Sequence, residues 1–406
     1  MNANGIERWW RSRGRGRAIA IVAAVVWLAI GAGGVSSRAA SVDSADAAAA
    51  KHGDFAALGS ARSFDTVPGV YEWTFRLRRG PSPFDRIGLH RVTRGPRPAA
   101  NPAIVVLYLP GTNMNGEVAV ADPRYSMPLY LAEHGVDFWA LDYRTHFIPP
   151  ATPETDLAEL KGWTNELFES DIETAARFVM KATGRSRIFV AGFSRGVSFA
   201  YLFAARHPQA VEGLVIFDGW IAADKPAATP AANRNADDIG GAHLTYDKRK
   251  ALMEAVIANP DGPAPLPKYK TARENLEQVV YGAGGVFGGH GGLANPIGGY
   301  SEAVVLARLL AGYDRYWPAV QDDENSFTPA DLVRLGASKI PLIAFSSTNI
   351  GAQWPRRVAQ SASSTGSADA TVKALSGWGH LDVICGTHAE AEVYAPTLEF
   401  LKRHRK

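Results

Sequence analysis

The residues best suited to covalent chemistry in this chain stand at Gly192-Phe193-Ser194-Arg195-Gly196. A serine hydroxyl is a poor nucleophile until a base takes its proton, so the pentapeptide means something only if its surroundings expose and activate Ser194. The apolar run Arg187–Ala191 before it reads as a buried strand, and Val197–His207 after it reads as a helix. A strand that turns directly into a helix leaves no room for a β-carbon beside the turn, which accounts for glycine at both flanks and lifts Ser194 to the tip. The first N–H groups of the helix then face any negative charge that develops there. A structural Gly-Ser turn is the competing reading of the five residues alone.

The elements needed to hold such a site are legible along the rest of the chain. Gly69–Leu77 and Arg86–Thr93 resemble a hairpin joined by the Pro/Gly turn at Gly80–Pro83, and Ala103–Leu109, Val136–Leu141 and Gly213–Phe217 are continuous apolar runs that suit strands buried on both faces. Ile340–Phe345 and Thr371–Leu375 continue the series, which makes eight strands with Arg187–Ala191. Helical stretches at Tyr125–His134, Asp156–Ala182 and Ala389–Arg403 lie between or after them. The alternation implies an α/β fold, a mostly parallel eight-stranded sheet with helices on both faces. About 120 residues separate the sixth strand from the seventh, far more than an ordinary connection needs. That interval opens with the Ala/Pro-rich stretch Ala222–Ala232, has helical patterns at Lys248–Ala258 and Ser301–Leu310, and reads as a mainly helical cap inserted between strands six and seven. Its glycine-dense part, Gly282–Gly299, includes Gly289-x-Gly291-x-x-Ala294, which has dinucleotide-fingerprint spacing, but no strand precedes it and the match is set aside. Paired Cys motifs, His-Glu-x-x-His and phosphate-binding Gly-Lys-Ser/Thr loops are all absent, so no cofactor and no metal are expected.

On these motifs the chain resembles the α/β-hydrolase superfamily from about Gly69 to its C-terminus, the cap excluded. Leu109-Pro110-Gly111-Thr112-Asn113 follows the third strand where that family carries its oxyanion loop, with Pro110 in place of the usual histidine. The resemblance implies backbone N–H donors at Thr112 and at Arg195, the residue after the nucleophile. Asp142-Tyr143-Arg144 matches the Asp-x-Arg that often ends the fourth strand, where a structural ion pair is expected. Gly379-His380-Leu381-Asp382 matches the late Gly-His loop that carries the catalytic base, and its continuation to Tyr394 is also similar to the His-Leu-Asp loop of the gastric and lysosomal acid lipases. His380 lies between the last strand and the last helix, as the order serine, acid, histidine requires.

The acid departs from the family pattern. It usually follows the seventh strand, yet the chain there reads Ser346-Ser347-Thr348-Asn349-Ile350-Gly351, with no carboxylate before Asp369, and Asn349 cannot carry the charge. Asp218 ends the sixth strand, and with adjacent strands about 4.8 Å apart its place falls between the Ser194 turn and the His380 loop. A structural role for Asp218 is the alternative. Asp382 is a further choice, but one residue from His380 it suits a helix N-cap better.

Composition bounds the rest. With 406 residues, 46% hydrophobic and 20% charged, the chain can bury a large core. The net charge is +3, and much of the excess sits at Arg8, Arg11, Arg13, Arg15 and Arg17, so no nucleic-acid partner is expected. Those arginines precede the uncharged apolar run Ala18–Val35 and then small residues, the pattern of an export signal cleaved between about residues 40 and 48, or of a membrane anchor through residues 18–35 if uncleaved. Either places the catalytic part outside the cytoplasm. Cys385 is the single cysteine and has no partner for an intramolecular disulfide. The expected organisation is therefore signal or anchor plus linker at 1–47, core at 48–220, cap at 221–336 and core again at 337–406. Val305, Leu309, Tyr313 and Trp317, with Leu306 and Leu310 beside them, form an apolar stripe that is either cap core or a lining for an acyl or aromatic group. The expected function is an exported carboxylesterase or lipase acting on a small ester or lipid. A peptidase or acyltransferase with the same triad, or a non-catalytic binding module on this fold, are the alternatives.

Overall fold

Strands covered on both faces need apolar side chains at every position, and this is how the centre of the molecule is built. The computed structural model describes residues 54–221, 234–235, 246–280, 300–318 and 327–406. The segments Ala18–Val35, Ala222–Ala232 and Gly282–Gly299 lie outside them. Nine strands form the sheet: β1 (Ala56–Ser63), β2 (Val70–Arg78), β3 (Arg86–Arg94), β4 (Val105–Leu109), β5 (Asp137–Asp142), β6 (Ile188–Phe193), β7 (Val211–Phe217), β10 (Leu342–Ser347) and β11 (Ala370–Leu375). Their spatial order is β1-β2-β3-β5-β4-β6-β7-β10-β11. β1, β2 and β3 run antiparallel to their neighbours, and from β5 through β11 every pairing is parallel. β8 (Arg234–Asn235) and β9 (Tyr316–Trp317) pair as a separate antiparallel ribbon.

The ninth strand of the sheet is the addition to what the sequence implies. β1 is an edge strand of small and polar residues, largely exposed, with an irregularity between Leu58 and Arg62. It has no buried face and hence no apolar alternation to read.

Alternate side chains of the parallel strands feed two cores. On one face Val106, Tyr108, Phe138, Phe189, Phe193, Phe217 and Phe345 pack with α1 (Met127–Glu133) and α10 (Ala395–His404). On the other, Leu107, Leu109, Trp139, Val190, Ile216 and Leu342 pack with α2 (Asn165–Thr183), α3 (Arg195–Arg206), α7 (Pro329–Ser338) and α8 (Gln353–Ser363). α2 starts later than its sequence pattern suggests, because Glu154–Asp156 and Ala158–Gly162 form short 3-10 turns and Thr164 then caps the helix by accepting from Leu167 N at 3.4 Å. Between β7 and β10 the described residues form α4 (Tyr246–Ala258), α5 (Ala272–Val280) and α6 (Ala303–Ala311), which pack on one another and join the first core. In the apolar stripe Val305, Leu306, Leu310, Tyr313 and Trp317 are buried. Among the described residues no helix is long and apolar enough to cross a membrane.

The Asp142-Tyr143-Arg144 segment forms ion pairs, though not between its own two charges. Arg144 reaches Asp171 on α2, with Nε to Oδ2 at 2.5 Å, and Asp85 before β3. Asp142 instead meets His90 of β3, Nε2 to Oδ2, at 3.0 Å. Asp142 is the last residue of β5, whereas Arg144 opens the 3-10 turn Arg144–Phe147 beyond it, so the strand does not set the direction of the arginine.

Glu169, on the buried side of α2, is the costly charge of this fold. Its Oε1 has no hydrogen-bond partner, and burial, which neighbouring Arg206 and Arg195 do not offset, pushes its pKa up to about 8. A carboxyl whose pKa is raised on folding adds nothing below its unfolded pKa and destabilises the fold increasingly as pH climbs to the folded value. Glu169→Gln is therefore expected to raise stability by up to roughly 4 kcal/mol at pH 9 and by little at pH 4.5. Urea unfolding of parent and variant at both pH values checks this, and parallel pH dependences would rule it out.

Candidate active site

Ser194 occupies the turn between β6 and α3 with φ 53° and ψ −118°, a conformation that costs a non-glycine residue free energy. The close packing forces it. A β-carbon at Gly196 would stand 1.9 Å from Leu109 O, and one at Gly192 would stand 2.4 Å from Gly196 O. Glycine at both positions lets the start of α3 press against the end of β4. Ser194 N donates to Phe217 O at 3.0 Å and Val197 N to Ser194 O at 3.1 Å, so the turn is fixed at both ends. Arg195 opens α3, for which Ser194 is the N-cap.

His380 is 3% exposed and Asp218 is 0% exposed, and Nδ1 of the first lies 2.6 Å from Oδ2 of the second. A carboxylate only accepts, so this contact fixes the ring proton on Nδ1 and leaves Nε2 with its lone pair. The imidazole stacks on Phe193, the residue before Ser194, with ring centroids 4.6 Å apart, and Trp354 meets it edge-on at 5.5 Å. Asp218 follows β7 with φ 50°, and its N–H donates to Phe345 O at 2.9 Å. Its carboxylate takes three further bonds: Ser347 N to Oδ1 at 2.6 Å, Ser347 Oγ to Oδ2 at 2.7 Å, and Trp354 Nε1 to Oδ1 at 2.8 Å.

The segment after β10 that lacks a carboxylate thus acts as a frame. Ser347 holds Asp218. Thr348 N and Asn349 N donate to Trp378 O at 3.2 and 3.0 Å, and Asn349 Nδ2 donates to Gly377 O at 2.7 Å, which secures the loop leading to His380. Asp382 closes the same loop from its other side, accepting from Gly379 N at 2.7 Å and from the Ser301 hydroxyl. It is the first residue of α9 (Asp382–Cys385) rather than the N-cap, which is Leu381, because its carboxylate turns back to Gly379. Sequence reasoning missed Ser347 and Trp354. A serine directly beyond a core strand was the available signal, while Trp354 reaches Asp218 only through tertiary packing.

Thr112 sits in a turn closed by Met114 N donating to Gly111 O at 3.0 Å, and the next residue, Asn113, has φ 60°. Asn113 is tied to the segment after α6: its Nδ2 donates to Asp314 O at 3.0 Å and its O accepts from Asp314 N at 2.7 Å. Asn115 Nδ2 donates to Gly312 O at 2.8 Å and to Asp314 Oδ1 at 3.0 Å. Gly116 N donates to Asp142 Oδ1 at 2.7 Å. His90 lies between Glu72 and Asp142 with a carboxylate on each ring nitrogen; burial opposes its charge, but the two carboxylates outweigh this and hold its pKa well above the usual range. Burial likewise opposes charge on His146, yet Asp142 and Asp314 raise its pKa to about 10. Both histidines therefore hold a proton more tightly than an ordinary imidazole. Among the described residues no three His, Cys, Asp or Glu side chains are grouped to hold a metal ion.

Neither a protein-family model nor a curated protein sequence matches the chain. Among solved structures it is similar to a Sulfolobus solfataricus protein described as a "putative lipase", with 26% identity, a TM-score of 0.67, and coverage of 85% of this chain and 99% of that one. It is also similar to an alpha/beta hydrolase fold protein from Nakamurella multipartita, with 17% identity, a TM-score of 0.45 and coverage of 84% and 99%. A Nitrososphaera gargenis carboxylesterase gives 12%, 0.43, 84% and 98% for the same quantities. The last two are too distant to bear on the site.

Hydrogen bonds to a buried carboxylate are worth about 1.5–3 kcal/mol each. Trp354→Phe and Ser347→Ala should each lower unfolding stability by that order. Because they share Asp218, the double variant should depart from additivity by roughly 0.5 kcal/mol or more. A double-mutant cycle by chemical denaturation measures the coupling, and strict additivity with small single effects would contradict the shared anchoring.

Proposed function

As a member of the α/β-hydrolase superfamily, the chain has the architecture of an esterase- or lipase-like hydrolase, and we propose that it is an exported serine hydrolase cleaving a carboxylic ester through Ser194, His380 and Asp218. The observation that carries this reading is the buried Asp218–His380 contact at 2.6 Å, made on the ring that stacks over the residue next to Ser194.

His380 Nε2 takes the proton of Ser194 Oγ as the oxygen attacks the acyl carbonyl carbon. The carbonyl electron pair moves to oxygen, which the backbone N–H groups of Thr112 and Arg195 stabilise. When that pair returns, the ester C–O bond breaks and the alcohol leaves with the proton from His380. Water then attacks the acyl-enzyme and gives a proton to His380, and the proton passes to Ser194 Oγ as the carboxylic acid departs. Asp218 holds the tautomer and offsets the imidazolium charge at each half-reaction. The substrate is a small ester or lipid. Export rests on the arginine-led apolar segment within residues 1–47.

A fluorophosphonate probe is expected to label the parent and not Ser194→Ala. Ser194→Ala and His380→Ala should each abolish ester hydrolysis with the fold retained, because triad members act as a unit. Asp218→Asn should keep a folded protein and lower kcat by roughly 10² to 10⁴. Unlabelled parent protein, or a serine or histidine variant within about tenfold of parental turnover, would overturn the reading. Export predicts a processed or membrane-held N-terminus outside the cytoplasm, read by N-terminal sequencing of fractionated cells.

A further inference from the structure

A cavity of about 80 Å³ lies where the end of β4, the 114–120 loop, the start of α1, α6 and α9 converge. Its walls include Tyr108, Met114, Val118, Tyr125, Leu309 and Cys385. The polar groups among these carry no charge into it. Burial pushes the Tyr108 phenol and the Cys385 thiol well above their ordinary pKa values, and Cys385 Sγ is already bonded to Leu381 O at 3.3 Å. The Tyr125 hydroxyl is taken up by Glu302, immediately before α6. The one lining carboxylate, Glu117, is about half exposed to solvent.

The cavity adjoins the nucleophile through one side chain. A β-carbon placed on Gly111 would stand 3.1 Å from Ser194 Cβ and 3.2 Å from Met114 Sδ, so those two side chains flank the same point at the start of the Thr112 turn. Met114 thus lies both beside Ser194 and in the wall of the cavity. Methionine is the core side chain most able to shift for an incoming chain.

We propose that this cavity is the acyl subsite and that it selects short, unbranched acyl groups of about three to four carbons; this rests on the ester-hydrolase reading of Ser194. The chemistry follows from the walls, which are mostly apolar and hold no cation to pair with an anionic substituent. The length follows from the volume. An apolar cavity of roughly 150 Å³ holds the six carbons of benzene, so about half that space suits about three or four. Tyr125, its hydroxyl held by Glu302, is one of the walls of that space. Each methylene buried should raise kcat/KM about fourfold until the cavity is full.

The experiment compares p-nitrophenyl acetate, butyrate and octanoate on the full chain, in parent, Leu309→Trp and Leu309→Ala, with fluorophosphonate labelling of each. Leu309 is half-buried on α6, and melting temperatures report whether each variant is folded. The parent should favour butyrate over acetate in kcat/KM by about fifteenfold and should also favour it over octanoate. Filling the space with Leu309→Trp should bring the butyrate-to-acetate ratio close to one, whereas Leu309→Ala should raise the octanoate-to-butyrate ratio. Labelled, active parent protein that prefers octanoate, or ratios unchanged in both variants, would refute the subsite and leave the nucleophile standing. Absence of both labelling and ester cleavage would instead remove the hydrolase reading on which the subsite depends.

Discussion

A carboxylate with no exposure to water is tolerable only where donors replace its hydration, because an unpaired buried charge costs several kcal/mol. Asp218 meets that condition with four hydrogen bonds drawn from three places: the end of β10, helix α8 and the loop between β11 and α9. Each is an element that sequence separates widely from β7. The group thus sets where those elements stand relative to one another as much as they set its orientation. His380 inherits its place and its tautomer from this arrangement. The position of Ser194 comes separately, from glycine-permitted contact between α3 and β4.

The same division of labour recurs on the other side of Ser194. Three of the four non-glycine residues with positive φ among the described residues, Asn113, Ser194 and Asp218, lie at the site, and each is held by backbone bonds to a neighbouring strand or to the segment after α6. Local conformational cost is concentrated where side chains must project in directions that regular structure does not allow. The fourth, Lys339, ends α7 in an ordinary left-handed cap. Near the Thr112 turn, hydrogen bonds link Glu72 to His90, His90 to Asp142 and His146 to Asp314, and the carboxylates beside the two histidines raise the pKa of each.

Much of this was legible in the amino-acid order because it rests on local rules. The doubly buried strands announce themselves as apolar runs, and the glycines around Ser194 are demanded by contacts one or two residues away in the turn. Asp218 was nameable because strand spacing alone brings the end of β7 near the following parallel strand. Ser347 and Trp354 were not, since a hydroxyl and an indole become partners of a carboxylate only once β10 and α8 are docked. β1 escaped notice for the opposite reason: a strand with neither face buried leaves no periodic trace. The pairing of Asp142 with His90, rather than with nearby Arg144, likewise exists only once β3 lies beside β5 and the chain turns away after Asp142.

The bonds from Asn113 and Asn115 to Gly312 and Asp314 connect the turn bearing Thr112 to the inserted helices. Displacing the 312–314 segment would break the contacts that keep Asn113 at φ 60°. The turn would then be free to relax toward commoner backbone conformations. Movement of the insert and relaxation of the Thr112 turn are therefore coupled. By reciprocity, whatever binds the turn in its present conformation also resists displacement of the insert, with the same coupling free energy in both directions.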